Sequence, residues 1–343
     1  MARPTRFFCA LALLLWAATP APAATMADQE MTGETQAYTI QDEDVFVDIA
    51  RKFDLGYNAL RVANPDIDPW IPKVGSQIIL PLARLLPGAP HRGIVINLPE
   101  QRLYYFAKNG EIRSFPVGVV KDGLTVPLTP GRITGKRQHP TWFPPASVRR
   151  EKPELPAAIP PGPDNPLGDY ALYTSWGLIR IHGTNKPMGV GRRVSHGCIR
   201  LYPEDIKWLF DHIKIGTPVI VVNQPVKAGF EGNELYLEVH PRMQDADAVE
   251  DTSHPPALTG NDKLLEIATA VILKAAPNQT QRIDWAQVSR QVEARDGLPH
   301  AILKEEPGLK EEPGLKEEPG LKEKPGLKEK EEGPNEQLPD LQE

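Results

Sequence analysis

Cysteine is scarce in this 343-residue chain: there are two, Cys9 and Cys198. That excludes a disulfide framework as the source of stability, so the fold has to rest on buried apolar cores. Neither sign of charge is in large excess, since 39 Lys and Arg against 45 Asp and Glu leave a net charge of −6. A mildly acidic chain lacks the basic footprint of a nucleic-acid binder, and no nucleic-acid partner is expected. Long apolar runs are also missing after the first residues, so no later segment is expected to cross a bilayer.

The exception is at the start. Arg3 and Arg6 precede an apolar run from Phe7 to Ala18, and Ala21-Pro22-Ala23 follows as a small-residue cleavage site. That order predicts a cleaved secretory signal peptide over residues 1–23; an uncleaved anchor is the other reading of the same run. Cys9 would leave with the signal. A single cysteine left in an exported chain is either intermolecular or a reactive thiol, and that makes Cys198 the residue to explain.

Residues 36–82 predict a small α+β module. "YTI" (38–40) suggests a strand, Phe46, Ile49, Ala50 and Phe53 recur at helical spacing, "YNALRVANP" suggests a second helix, and "IPKVGSQIILP" returns as turn and strand. From Gly93 the texture is mostly β: "IVINL", "RLYYF" and "IRSFPVGVV" are strand-like, separated by turn signals. The proline-rich residues 139–168 predict a long surface excursion, of the kind that forms lids or substrate walls. "YALYTS" and "LIRIH" suggest a strand pair; Pro203 then opens a helix with Ile206, Leu209, Phe210 and Ile213 on one face, and "TPVIVV" (217–222) closes the region as a buried strand. Residues 92–223 are thus expected to form a mostly β domain with one clear helix after the cysteine. Residues 225–303 hold a strand-like "NELYLEVH" and a helix-like "KLLEIATAVILKAA", with no role assigned. From Lys304 to Leu327, KEEPGL-type repeats carry a proline every six residues and high charge, which predicts a disordered tail over 304–343, with a spacer or envelope-contact role as its functional reading.

The stretch "HGTNKPMGVGRRVSHGCIR" (182–200) gathers the chemistry. A cysteine nucleophile needs a base for its proton and donors for the oxyanion that forms on the substrate carbonyl. Gly197 lets the backbone bend, so the amides of Gly197 and Cys198 are candidates for those donors. His182 follows a strand-like run, from which adjacent strands can return it beside the sulfur. Two other readings stand: a zinc site using His182, His196 and Cys198, for which no fourth ligand is evident, and an inert buried cysteine, which the surrounding glycines, arginines and histidines argue against. Histidines 91, 139, 212, 240, 254 and 300 lack such a setting and read as structural or solvated.

Two resemblances bear on these residues. "YTI", "IA" (49–50), "ANP" (63–65) and "VGSQIILP" (74–81) resemble LysM, a module that binds N-acetylglucosamine-containing glycans; a packing domain without a ligand is the alternative. "IHGTN" followed by "SHGCIRL", with "GPDNPLG" (162–168) upstream, resembles the YkuD catalytic domain of L,D-transpeptidases, and the whole chain is similar to the periplasmic ErfK-like group. The YkuD resemblance implies a β-sandwich-like fold with Cys198 as nucleophile. His182 is then the general base, oriented by the carbonyl of Gly183; His196 supports the site, and Arg200 contacts substrate. It implies no cofactor and no metal. It also implies a reaction: Cys198 attacks the meso-diaminopimelate carbonyl of a tetrapeptide stem in peptidoglycan, releases D-alanine, and passes the acyl group to an amine. That amine belongs to another stem or to a lysine-bearing outer-membrane lipoprotein. An L,D-carboxypeptidase or cell-wall cysteine peptidase with water as acceptor, and a non-catalytic glycan-binding protein, are the competing functions.

Overall fold

The run Ile94-Val95-Ile96 predicts a strand covered on both faces, and in the computed structural model all three side chains are fully buried. The structure describes residues 30–121, 125–250 and 258–304. The expected signal peptide and repeat tail lie outside those residues. Among the described residues no helix is long and apolar enough to cross a membrane.

At the N-terminal end, β1 (Met31–Thr32) precedes β2 (Gln36–Thr39), α1 (Phe46–Lys52), α2 (Tyr57–Ala63) and β3 (Gln77–Leu80); β4 (Arg84–Leu85) pairs back on β1. The expected strand–helix–helix–strand order of residues 36–82 is therefore present, with β2 and β3 antiparallel. Phe46, Ile49, Leu55, Tyr57, Leu60, Ile78 and Leu80 form its core.

The central part holds β5 (Gly93–Asn97), β6 (Arg102–Phe106), β7 (Ile112–Pro116), β8 (Val119–Val120), β9 (Gly131–Gln138), α3 (Ala146–Glu151), β10 (Tyr170–Thr174), β11 (Arg180–His182), β12 (Arg193–Ser195), β13 (Ile199–Arg200), α4 (Pro203–His212) and β14 (Pro218–Val222). Eight of these strands form one sheet in the order β13-β11-β10-β9-β14-β5-β6-β7, and β8 pairs with β12 in a short parallel ribbon. The fold is mostly β with a helix directly after the cysteine, as expected. Pro203 opens α4, where its missing N–H costs nothing. Ile206, Leu209 and Ile213 pack with Ile133, Leu172, Ile181, Ile199 and Val219 into the main core. "TPVIVV" departs from the fully buried strand expected: Val219 and Val221 are buried, while Ile220 and Val222 are half-buried. The outer pair faces a thinner layer, in which Leu86 and Ala89 pack beside Val95 and Phe106.

Residues 225–303 form a third layer: β15 (Val226–Glu231), β16 (Glu234–Val239), α5 (Ala246–Glu250), α6 (Asn261–Ala275), α7 (Trp285–Ala294) and β17 (Pro299–Ala301). The sheet β15-β16-β17 packs Val226, Leu235 and Leu237 against Leu264, Ala268, Ile272, Val288 and Val292. Lys227 fastens this layer to the central part. Its buried ammonium lies 3.0 Å from Glu100 and 2.7 Å from Glu238, and His240 reaches Glu238 at 2.6 Å. Of the two roles open to it, His240 thus takes the structural one. Removing one partner of such a buried set costs roughly 3–5 kcal/mol, because it strands the opposite charge.

The N-terminal module is seated on the start of α4. Arg51 grips Glu204 with two nitrogens at 2.8 and 2.9 Å, and the Tyr202 hydroxyl donates to the Leu55 carbonyl at 3.1 Å. Gly56 and Gly191 pass so closely that a Cβ on Gly191 would come within 2.2 Å of the Gly56 Cα. The Asn58 amide donates to the Gly191 carbonyl across this contact. The segment leading to Cys198 is therefore braced by the module.

Candidate active site

Ile181 and Ile199 are fully buried and paired across the parallel strands β11 and β13, which sets His182 opposite Arg200. Alternation along a strand turns these two away from the isoleucine side. The sequence expectation that strands would return His182 to the neighbourhood of Cys198 rests here on one register. His182 is buried, and its Nδ1 lies 2.5 Å from the Gly183 carbonyl. A carbonyl can only accept, so Nδ1 carries the hydrogen and Nε2 is left as the basic nitrogen. Burial, reinforced by the Arg200 charge, pushes the imidazole down to a pKa of about 3. His182 is neutral at any pH near 7.

Cys198 is half-buried and forms no disulfide. Its sulfhydryl donates to the Leu178 carbonyl at 3.8 Å, at the end of the β10–β11 turn. Burial pushes the thiol pKa up, and Arg180 and Arg200 pull it back only in part. At rest the pair is a thiol and a neutral imidazole, not a thiolate–imidazolium pair.

Gly197 has φ +119°, a conformation that favours glycine. Its amide, one of the two expected oxyanion donors, donates to the buried Ser195 Oγ at 3.1 Å.

His196 is placed by a contact that the sequence reading missed. Its Nε2 lies 2.9 Å from Glu151 Oε2 at the end of α3, and Lys121 Nζ lies 3.2 Å from the same oxygen. Lys121 reaches the site because its amide donates to the Ser195 carbonyl, extending the β8–β12 ribbon. The proline-rich excursion 139–168 is pinned by its own hydrogen bonds. Asn165 is fully buried at its base, with its amide 2.7 Å from the Pro140 carbonyl and 3.1 Å from that of Pro160. Trp142 and Ile159 exchange two backbone hydrogen bonds of 2.8 Å. Arg200 is half-buried, and its buried Nε has no hydrogen-bond partner. Burial lowers its pKa and Cys198 raises it.

The zinc reading finds no gathered ligands. Nδ1 of His182 is held by Gly183 and Nε2 of His196 by Glu151. Among the described residues, the metal-capable atoms that do cluster belong to Glu100, Glu238 and His240, where the Lys227 ammonium already supplies the positive charge.

Residues 91–221 match the model of the YkuD L,D-transpeptidase catalytic domain. The chain is 41% identical over 256 residues to the probable L,D-transpeptidase YcfS of Escherichia coli (strain K12), covering 70% of this chain and 78% of that protein. It is 36% identical over 267 residues to the probable L,D-transpeptidase ErfK/SrfK of Salmonella typhimurium (strain LT2), covering 76% and 83%. To the probable L,D-transpeptidase YbiS of Escherichia coli (strain K12) it is 35% identical over 280 residues, covering 78% and 87%.

Proposed function

The chain belongs to the YkuD family of L,D-transpeptidases, and on that premise we propose that it transfers a peptidoglycan stem through a thioester on Cys198. The observation that carries this reading is the fixed tautomer of His182: Nδ1–H held by the Gly183 carbonyl, Nε2 left basic, one strand away from the SHGC loop. In the first half-reaction the thiol swings from Leu178 toward Nε2 and loses its proton as sulfur attacks the diaminopimelate carbonyl. The proton passes from His182 to the departing D-alanine amine, and the C–N bond breaks as the thioester forms. In the second half-reaction an amine attacks the thioester, and Cys198 leaves with a proton returned through His182. Arg200, with its unpartnered Nε, suits the stem's carboxylates.

The proposed setting is the periplasm, after removal of residues 1–23. The proposed acceptor is an amine of a second stem or of a lipoprotein lysine. Residues 36–82 are proposed to bind glycan as a LysM module and to keep the enzyme on its polymer. The test is to incubate the protein with purified tetrapeptide muropeptides and follow it by intact-protein mass spectrometry. An adduct on Cys198 with release of D-alanine, absent in Cys198→Ala, is the expected result. Release of D-alanine without any adduct, or release sustained by Cys198→Ala, overturns the mechanism.

A further inference from the structure

The proposed reaction needs a place for the acceptor, and the groups near Cys198 differ in charge. Arg180 and Arg200 act on the sulfur. Two residues before the cysteine, His196 meets the carboxylate of Glu151 at 2.9 Å. That carboxylate already holds a primary ammonium, the Lys121 Nζ at 3.2 Å from Oε2 and 3.3 Å from Oε1. A carboxylate that docks an ammonium and is itself held by an imidazole N–H has the parts needed to bind the ammonium of an amine acceptor. The wall carrying Glu151 is fixed by Asn165 and by the Trp142–Ile159 pairing.

We propose that Glu151 and His196 form the binding site for the primary ammonium of the acyl acceptor, and that Lys121 fills this site in the free enzyme. The inference rests on the acyl-transfer reading above. The acceptor's ammonium displaces Lys121 from Glu151 and gives one proton to solvent. The resulting amine attacks the thioester carbonyl carbon, and a C–N bond forms. The adduct nitrogen loses a second proton to His182, which hands it to the Cys198 sulfur as the C–S bond breaks. The balance is thioester plus ammonium giving amide, thiol and one proton. Glu151 thereby favours amines over water at the same thioester.

The test compares the full-length wild type with Glu151→Gln, Lys121→Met and Glu154→Gln, using a soluble tetrapeptide donor. Glu154 is an exposed carboxylate on the same wall, outside the site, and serves as control. The acceptors are n-butylamine, an ammonium at neutral pH, and hydroxylamine, which is uncharged there. Mass spectrometry reads the ratio of transfer to hydrolysis, which cancels any change in acylation rate. Glu151→Gln should lower the butylamine ratio about fivefold, the scale of an exposed ion pair, and leave the hydroxylamine ratio alone. Lys121→Met should lower the butylamine concentration needed for half-maximal transfer, and Glu154→Gln should match the wild type. An unchanged butylamine ratio in Glu151→Gln, or equal losses with both nucleophiles, overturns the proposal. If the wild type forms no Cys198 adduct, the parent reading fails and takes this one with it; an adduct with unaltered ratios sinks this one alone.

Discussion

His182 and Arg200 stand in register across a two-residue parallel pairing, so the proposed base and the cation that depresses its pKa are held by the same hydrogen-bond ladder. A change that loosens one loosens both. Burial first, and then the Arg200 charge, keeps the base uncharged, and the Gly183 carbonyl orients it.

Replacing His182 by Ala should reduce thioester formation by about 10²–10⁴-fold, the usual worth of a positioned base. His196→Ala should cost less than about tenfold in that half-reaction, because its contact is to Glu151 and not to the reacting thiol. Stopped-flow or quenched-flow measurement of D-alanine release gives both numbers. A larger effect from His196 would exchange the two roles.

Alkylation by iodoacetamide should report the resting state. Burial raises the Cys198 pKa, so the rate at neutral pH should be lower than that of a small free thiol and should keep climbing above the ordinary thiol range. His182, with its pKa near 3, should impose no acid limb on D-alanine release between pH 5 and 7. A plateau of fast alkylation near pH 6 would mean a preformed thiolate.

The interface between the module and α4 buries two carboxyl groups, Asp54 and Asp205, beside each other. Burial first, and then the neighbouring Asp54 carboxylate, pushes Asp205 up to a pKa of about 9. A carboxyl raised in the folded state binds more protons there than in the unfolded chain, so stability is full below pH 4 and falls as pH rises toward 9. Asp205→Asn should remove that slope and raise the melting temperature at pH 8 by about 2–4 °C. Parallel melting-temperature profiles for the two proteins across pH 5–9 would refute the assignment.

Deleting residues 36–82 should destabilise the catalytic part, not merely release it from glycan. The cut strips Arg51 from Glu204 and the Leu55 carbonyl from Tyr202, and it uncovers the Gly191 contact beside the catalytic loop. Differential scanning calorimetry of the truncated protein should show a lower transition, and activity on soluble stems should fall with it. An unchanged transition with full activity would show that the module is only tethered.

The proposed catalytic residues were legible because their chemistry is contiguous. His182-Gly183 and Ser195-His196-Gly197-Cys198 offer a candidate nucleophile, base and orienting carbonyl in two short stretches. Glu151 was not legible, since it sits 45 residues before His196 in a proline-rich stretch with no periodicity to place it. Asn165 belongs to a motif the sequence singled out, but its partners are backbone carbonyls, which leave no trace in residue type. β9 escaped for another reason: "GRITGKRQ" is polar and glycine-bearing, and only its neighbours β10 and β14 make it a strand. The contact of the Gly197 amide with the buried Ser195 hydroxyl is one that spacing cannot reveal.

The position of β14 between β9 and β5 has a consequence for how the molecule comes into being. The strand that joins the two halves of the sheet is the last of its eight to be synthesised, about 120 residues after its parallel partner β5. Until residues 218–222 arrive, β5, β6 and β7 make one meander, and β9, β10, β11 and β13 make a separate patch with an open edge. The nascent chain can hold the SHGC loop on that second patch, but not against a finished core. The two patches therefore become one sheet only when this five-residue strand takes its place in the middle.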